Sequence, residues 1–384
     1  MLVGYGRSNS RILSMGLAAV ASLITLVGAP AQREGAEKGA DFTAAVARAD
    51  QLRAADRLFP AARAYREALA LKEDWYEGWW YLGSILYELD RYDEAIPALE
   101  RALLERPNQA EVPALLGLCH FEEGDYQRAW LALSQAMEAG IGQLEGIGYV
   151  ARYHYALLAN REGAFELAGR LLAELAEAGH GRKPTLREAL GLAVLRIAAL
   201  PNELNPELRA PVLLAGRAAA AVAEARVELA ENLLESLVHQ YPRLPSVHYF
   251  FGNFLAQTNP ARALEEYEKE LEISPDHLPA RVEAAAEYIN REDFDAAIRH
   301  GEIATKSHPD SFAARHVLGR AYLEAGRVDE AIGQLEAGVK LAPDSPQLRF
   351  TLAQAYRAAG RPEDAEREQQ EFLKLKALTS GNSP

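Results

Sequence analysis

From residue 42 to residue 379, small and large apolar positions recur in a fixed order about every 34 residues. The clearest column is an alanine just past a turn, at Ala61, Ala95, Ala129, Ala168, Ala230, Ala263, Ala297, Ala331 and Ala365, spaced by 34, 34, 39, 62, 33, 34, 34 and 34 residues. Eleven or twelve residues before each stands another small residue: Ala49, Gly83, Gly117, Ala156, Ala218, Gly252, Ala285, Gly319 or Ala353. A turn glycine precedes the anchor at Gly124, Gly163, Gly326 and Gly360, and a proline follows at Pro107, Pro242, Pro275, Pro309 and Pro343. Small residues let two helices cross closely, the short polar turn reverses the chain, and proline ends the second helix. Large residues such as Leu82, Leu86 and Leu99, or Leu318, Tyr322 and Leu335, fill the remaining contact sites. The pattern predicts helical hairpins, and a lone hairpin cannot bury its apolar face, so each must stack on the next.

Two stretches interrupt the period. Residues 139–148 (AGIGQLEGIG) hold four glycines and read as a longer linker. Residues 183–210 replace a hairpin; Leu186 to Leu200 reads as one amphipathic helix before the loop PNELNP.

The unit at residues 76–109 carries Trp79, Leu82, Gly83, Tyr92, Ala95, Leu99, Ala102 and Pro107. In these positions it resembles the tetratricopeptide repeat family. The resemblance covers units at 42–75, 76–109, 110–143, 149–182, 211–244, 245–277, 278–311, 312–345 and 346–379, with Arg152, Arg281, Arg315 and Arg349 at the tryptophan site of four of them. It implies an all-α fold, a right-handed α-solenoid of antiparallel helix pairs. The expected organisation is an N-terminal array (42–182), an irregular helical unit and loop (183–210), a C-terminal array (211–379) and a disordered tail (380–384).

The amino terminus follows a different pattern. Arg7 and Arg11 precede an uncharged apolar run from Leu13 to Val27, and Ala29 and Ala31 flank Pro30. A basic start, a short apolar core and an Ala-x-Ala exit match a signal peptide (1–31) cleaved after Ala31, followed by a linker (32–41). Fifteen helical residues rise about 22 Å, short of a bilayer core of roughly 30 Å, so no stable span is expected after processing. Export to the periplasm or medium is the expectation, with an uncleaved anchor as the alternative.

Composition narrows the choice of partners. The 384 residues are 49% hydrophobic and 25% charged, which excludes a disordered chain, collagen or a multi-span membrane protein. With 41 basic and 55 acidic residues the formal charge is −14, so nucleic acid, which attracts through lysine and arginine, is not an expected partner.

Catalytic patterns do not emerge. There is no His-Glu-x-x-His, Gly-x-Ser-x-Gly, phosphate-binding loop or paired Cys-x-x-Cys. Cys119, the single cysteine, reads as a core residue, and the evenly spaced His300, His308 and His316 span a helix, a turn and the next helix. Neither an enzyme, a cofactor nor a metal site is expected.

In the resembled family, first helices line a groove that takes a partner. Its groove columns fall here on Trp80, Tyr87, Phe121, Tyr153 and Leu157 in the N-terminal array. In the C-terminal array they fall on Tyr249, Asn253, Asn290, His316, Arg320, Phe350, Gln354 and Arg357. Arg320 and Arg357 lie on neighbouring first helices, so both can face an acidic group. The lysine and asparagine set with which some relatives clamp a chaperone tail is incomplete here. The expected function is a non-catalytic scaffold of the cell envelope binding a peptide or helix of another protein. The alternative is a glycan or small-ligand module that stacks its ligand on the N-terminal aromatics.

Overall fold

The computed structural model describes residues 30–143 and 146–381, and every regular element among them is helical. The apolar run of the expected signal peptide lies outside the described residues. Nineteen α-helices follow in chain order. The N-terminal unit holds α1 (Pro30–Ala54), α2 (Leu58–Leu71), α3 (Tyr76–Glu88), α4 (Tyr92–Glu105), α5 (Glu111–Glu122), α6 (Tyr126–Glu138), α7 (Ile147–Arg161), α8 (Phe165–Leu175) and most of α9 (Pro184–Val194). It also takes in Ile197–Leu204. The C-terminal unit holds α10 (Arg209–Ala223), α11 (Val227–Gln240), α12 (Val247–Leu255), α13 (Pro260–Ile273) and α14 (Leu278–Asn290). It continues with α15 (Phe294–Ser307), α16 (Phe312–Glu324), α17 (Val328–Leu341), α18 (Pro346–Ala358) and α19 (Pro362–Gly381). Within each unit successive helices pair as hairpins, and each hairpin packs on the next, as the all-α solenoid reading expects.

The small-residue column is where paired helices approach most closely. A Cβ placed on Gly319 of α16 would stand 2.6 Å from Leu335 Cγ of α17, and one on Gly83 of α3 would stand 2.6 Å from Leu99 of α4. Leu335 and Leu99 are fully buried, so they occupy the space a larger residue would need. The hairpin turns, except the one between α12 and α13, share one backbone device. A residue with left-handed geometry follows the first helix, as at Gly326 (φ +74°), and the next amide bonds back five residues, Arg327 N–H to Tyr322 O at 2.8 Å. Asp90 and Glu292 take the same conformation in turns without glycine (φ +57° and +61°). Several hairpins then begin on a capping side chain, Ser311 Oγ accepting from Ala314 N–H and Ser345 Oγ from Leu348 N–H.

The arginines at the tryptophan site have a structural explanation. Trp79 donates its indole N–H to the Glu73 carbonyl at 2.7 Å, six residues upstream in the connection between hairpins. Arg281, Arg315 and Arg349 donate to Pro275 O, Pro309 O (3.2 Å) and Pro343 O (3.2 Å) at the same offset, and His248 Nε2 meets Pro242 O at 3.0 Å. The charged residues also reach across to the second helix of their hairpin: Arg315 to Gln334 (2.8 Å), Arg349 to Glu368 (2.7 Å), and His248 Nδ1 to Glu266 (2.6 Å). The column therefore selects for an N–H donor that braces the connection, and indole, guanidinium and imidazole all supply one. A second ladder ties each hairpin to the next, with the hydroxyls of Tyr288, Tyr322 and Tyr356 donating to Glu268, Glu302 and Glu336 at 2.9, 2.8 and 2.7 Å.

The structure departs from the sequence reading in three places. Residues 32–41, expected as a linker, belong to α1. α9 ends at Val194 and does not continue to Leu200. Leu195 and Leu200 are buried all the same, because the turn after α9 folds back and is held by Asn160, whose amide donates to Ile197 O (2.8 Å) and Ala199 O (3.1 Å). At the other end α19 runs to Gly381, so Ser380 and Gly381 of the expected tail are helical, while 382–384 lie outside the described residues.

Candidate functional site

The thirty-four-residue period stacks the first helices of the C-terminal unit side by side, α14 against α16 and α16 against α18. A hollow of about 320 Å³ lies across them. Its apolar lining comes from Val282 and Ala286 of α14 and from Phe312, Ala313 and Val317 of α16. Its polar lining is Glu283, His316, Arg320, Ser345 and Gln347. His316 and Arg320, one helical turn apart, thus share one site.

The electrostatics of the hollow follow from burial. His316 is held down to about 4, first by desolvation and then by the Arg320 guanidinium, so its imidazole is neutral near pH 7. Its Nε2 lies 2.9 Å from Thr351 Oγ1 of α18, and the hydroxyl donates onward to Gln347 O at 2.9 Å. Burial pushes the Glu283 carboxyl up. Among the described residues Arg320 has no carboxylate partner, and it is the hollow's one permanent cation.

The other expected groove residues fall around this hollow or away from it. Phe350 is 40% exposed on α18, with its ring 5.3 Å from Phe372 of α19. Gln354 and Arg357 are exposed on the same helix, and Arg357 donates to Gln369 at 2.9 Å. Asn290 bonds Glu287 within α14. Tyr249 and Asn253 lie on α12, in the hairpin before α14. Tyr249 packs on His277 (4.7 Å), and Asn253 accepts from the Tyr267 hydroxyl (2.9 Å). Phe312, Val282 and Gln347 were missed in the sequence; Phe312 follows the cap Ser311 and reads as a helix start, yet it is 47% exposed beside the hollow.

In the N-terminal unit the expected aromatics pack on one another. Phe121 stands 5.5 Å from Tyr126 and 4.7 Å from His154; Tyr153 contacts His154 (5.3 Å) and lies nearly parallel to Tyr149 (6.4 Å). Tyr87 packs on Tyr92 at 5.6 Å, Trp80 packs against the core, and Leu157 is buried. Phe121 and Tyr153 are both engaged edge-on by His154. The row ends at Lys183, whose Nζ lies 3.7 Å from the Tyr149 ring centre. A larger hollow of about 740 Å³ lies between α2, α3 and α4, with Trp79, Leu82, Pro97 and Ala98 in its lining. None of the expected groove residues reaches it.

Cys119 is fully buried and its thiol is pushed up to about 12 by burial, an inert core position. His300 pairs with Glu268 (3.3 Å) and His316 with Thr351. No group of three or more potential metal ligands converges among the described residues. No helix among them is long and apolar enough to cross a membrane.

The tetratricopeptide repeat family profile matches residues 47–113, 82–143, 282–346 and 316–378. No curated protein matches the chain. Among solved structures it is similar to MamA from Desulfovibrio magneticus RS-1 (residues 41 to the end), with 20% identity, a TM-score of 0.40, and coverage of 45% of this chain and 97% of that one. It is also similar to an RS-1 MamA double mutant (18%, 0.41, 45% and 97%) and to MamA AMB-1 (24%, 0.36, 41% and 94%). The brace column, the small-residue crossings and the four profile matches converge: this chain belongs to the tetratricopeptide repeat family.

Proposed function

We propose that the protein is a non-catalytic scaffold of the cell envelope that holds an extended segment of another protein along the first helices of the C-terminal unit. One observation carries the reading. Arg320 presents a cation without a carboxylate partner in a partly apolar hollow, beside an imidazole that stays neutral. A carboxylate entering there gains a charge-assisted bond to a guanidinium that makes no competing ion pair among the described residues, while Phe312 and Val317 cover apolar atoms beside it. Phe350, Gln354 and Arg357 are exposed farther along α18. The placement in the envelope rests on Arg7, Arg11, the apolar run from Leu13 to Val27 and the Ala-x-Ala exit.

Partner capture from envelope extract tests the site. With Arg320 and Arg357 both changed to glutamate, the partners held by the native chain are expected to fall by tenfold or more, on the order of 1.4 kcal/mol or greater. An unchanged set of partners at unchanged amounts rules out this groove.

A further inference from the structure

A second charged surface lies in the N-terminal unit, at the turn between α8 and α9. The chain carries a formal charge of −14, yet between Glu177 and Glu188 it has no acid, and that stretch holds His180, Arg182, Lys183 and Arg187. The turn is built to hold these groups in place. Gly179 takes a left-handed conformation (φ +92°), Lys183 N–H bonds to His180 O (2.9 Å), and Arg187 donates its Nε–H to Gly181 O (2.7 Å). Lys183 is thereby laid over the Tyr149 ring with Nζ 3.7 Å from its centre, and the His180 ring lies 4.4 Å from the same tyrosine. A ring face attracts the ammonium but accepts no full hydrogen bond, so its N–H groups keep donor capacity. Burial holds Lys183 below the usual lysine range, and burial together with Lys183 lowers His180; no carboxylate opposes either shift. A positive centre is therefore held against aromatic rings, and among the described residues no carboxylate pairs with it.

We propose that this turn is a docking surface for an acidic segment of a partner protein, with Lys183 and Arg182 taking its carboxylates and the Tyr149–Tyr153 rings taking an apolar side chain beside them. Charge complementarity selects the occupant. The cations Arg182, Lys183 and Arg187 suit a short acidic peptide, whereas the acidic remainder of the chain repels an extended polyanion such as nucleic acid. The surface is separate from the Arg320 hollow, which lies in the other unit.

The test is fluorescence anisotropy on the full chain with a labelled hexapeptide of alternating glutamate and phenylalanine. Lys183→Glu and Arg182→Glu are each expected to weaken binding roughly tenfold, the scale of one charge-assisted contact. Lys183→Arg is expected to keep most of it, and binding at this turn is expected to persist in Arg320→Glu, which closes the other groove to the same peptide. Arg182 is exposed, so its reversal leaves the packing of the turn intact. The proposal is overturned if both charge reversals bind like the native chain. It is equally overturned if Arg320→Glu removes the binding, which assigns the peptide to the other groove, or if a single-stranded oligonucleotide binds more tightly than the peptide.

Discussion

Replacing His248 with alanine is expected to destabilise the start of α12 by about 3–5 kcal/mol, the scale for removing one partner of a buried ion pair. Both imidazole nitrogens face acceptors, Glu266 at 2.6 Å and Pro242 O at 3.0 Å, so the ring bridges them best as an imidazolium. Glu266 is almost wholly buried, and Lys269 alone would remain to balance it. Glu270 of the same helix bonds the amides of Ser246 (2.8 Å) and Tyr249 (3.3 Å), holding Ser246 in its left-handed conformation (φ +68°). His248→Arg is expected to lose far less, because arginine occupies this column in the next three hairpins. The bridge also makes this region sensitive to pH. Desolvation lowers the His248 pKa, but the bonds to Glu266 and Pro242 O outweigh it, and the folded pKa lies above 6.5. Its contribution is complete below pH 6.5 and disappears as pH rises through the folded value. The Glu266 carboxyl, desolvated but held down by His248 and Lys269, adds stability above pH 4.5 that is lost as pH falls through its folded value. Hydrogen exchange of residues 242–250 is expected to speed up from pH 6.5 upward, after correction for the intrinsic rate, and to do so much less in His248→Arg. Equal acceleration in both chains contradicts the bridge.

Gly319→Leu is the second large effect, expected to cost at least about 3 kcal/mol and to open the α16–α17 hairpin. Overpacking a close crossing typically costs about 1–3 kcal/mol, occasionally more, and here the first added carbon already collides with Leu335. Leu335 is fully buried between the hairpin and α18, so it has no free volume to enter. Gly319→Ala should fall within the milder range. Urea unfolding followed by circular dichroism is expected to show an early transition for the leucine variant, since a repeat array can lose one part before the rest. A curve matching the native chain would show that the crossing is looser than its geometry.

The sequence made the hairpins legible because a close helix crossing restricts residue size, and that restriction repeats at a fixed distance. Gly319 opposite Leu335 and Gly83 opposite Leu99 are visible as columns before any coordinates. The arginines at the tryptophan site were visible only as departures. The acceptor of Arg281, Arg315 and Arg349 is a backbone carbonyl six residues upstream, and backbone groups leave no mark in side-chain identity. The end of α9 was misread for a related reason. Leu195 and Leu200 remain buried in the turn, so the apolar pattern continues where the helix does not. At the candidate site, His316 and Arg320 were legible together because they lie one turn apart on a single helix. The engagement of Phe121 by His154 was not, since the two rings come from successive hairpins. The Lys183 turn lies in the stretch without period, where no column points to it.

The proposed groove places a partner segment across α14, α16 and α18 beside Arg320. Photo-crosslinking reads this placement, with a benzoylphenylalanine at Phe312 in the hollow or at Phe59, 65% exposed on α2 of the N-terminal unit. A discrete protein adduct is expected from position 312 that disappears with Arg320→Glu, with none of that mass from position 59. An adduct from position 312 that survives Arg320→Glu, or the same adduct from position 59, would contradict it.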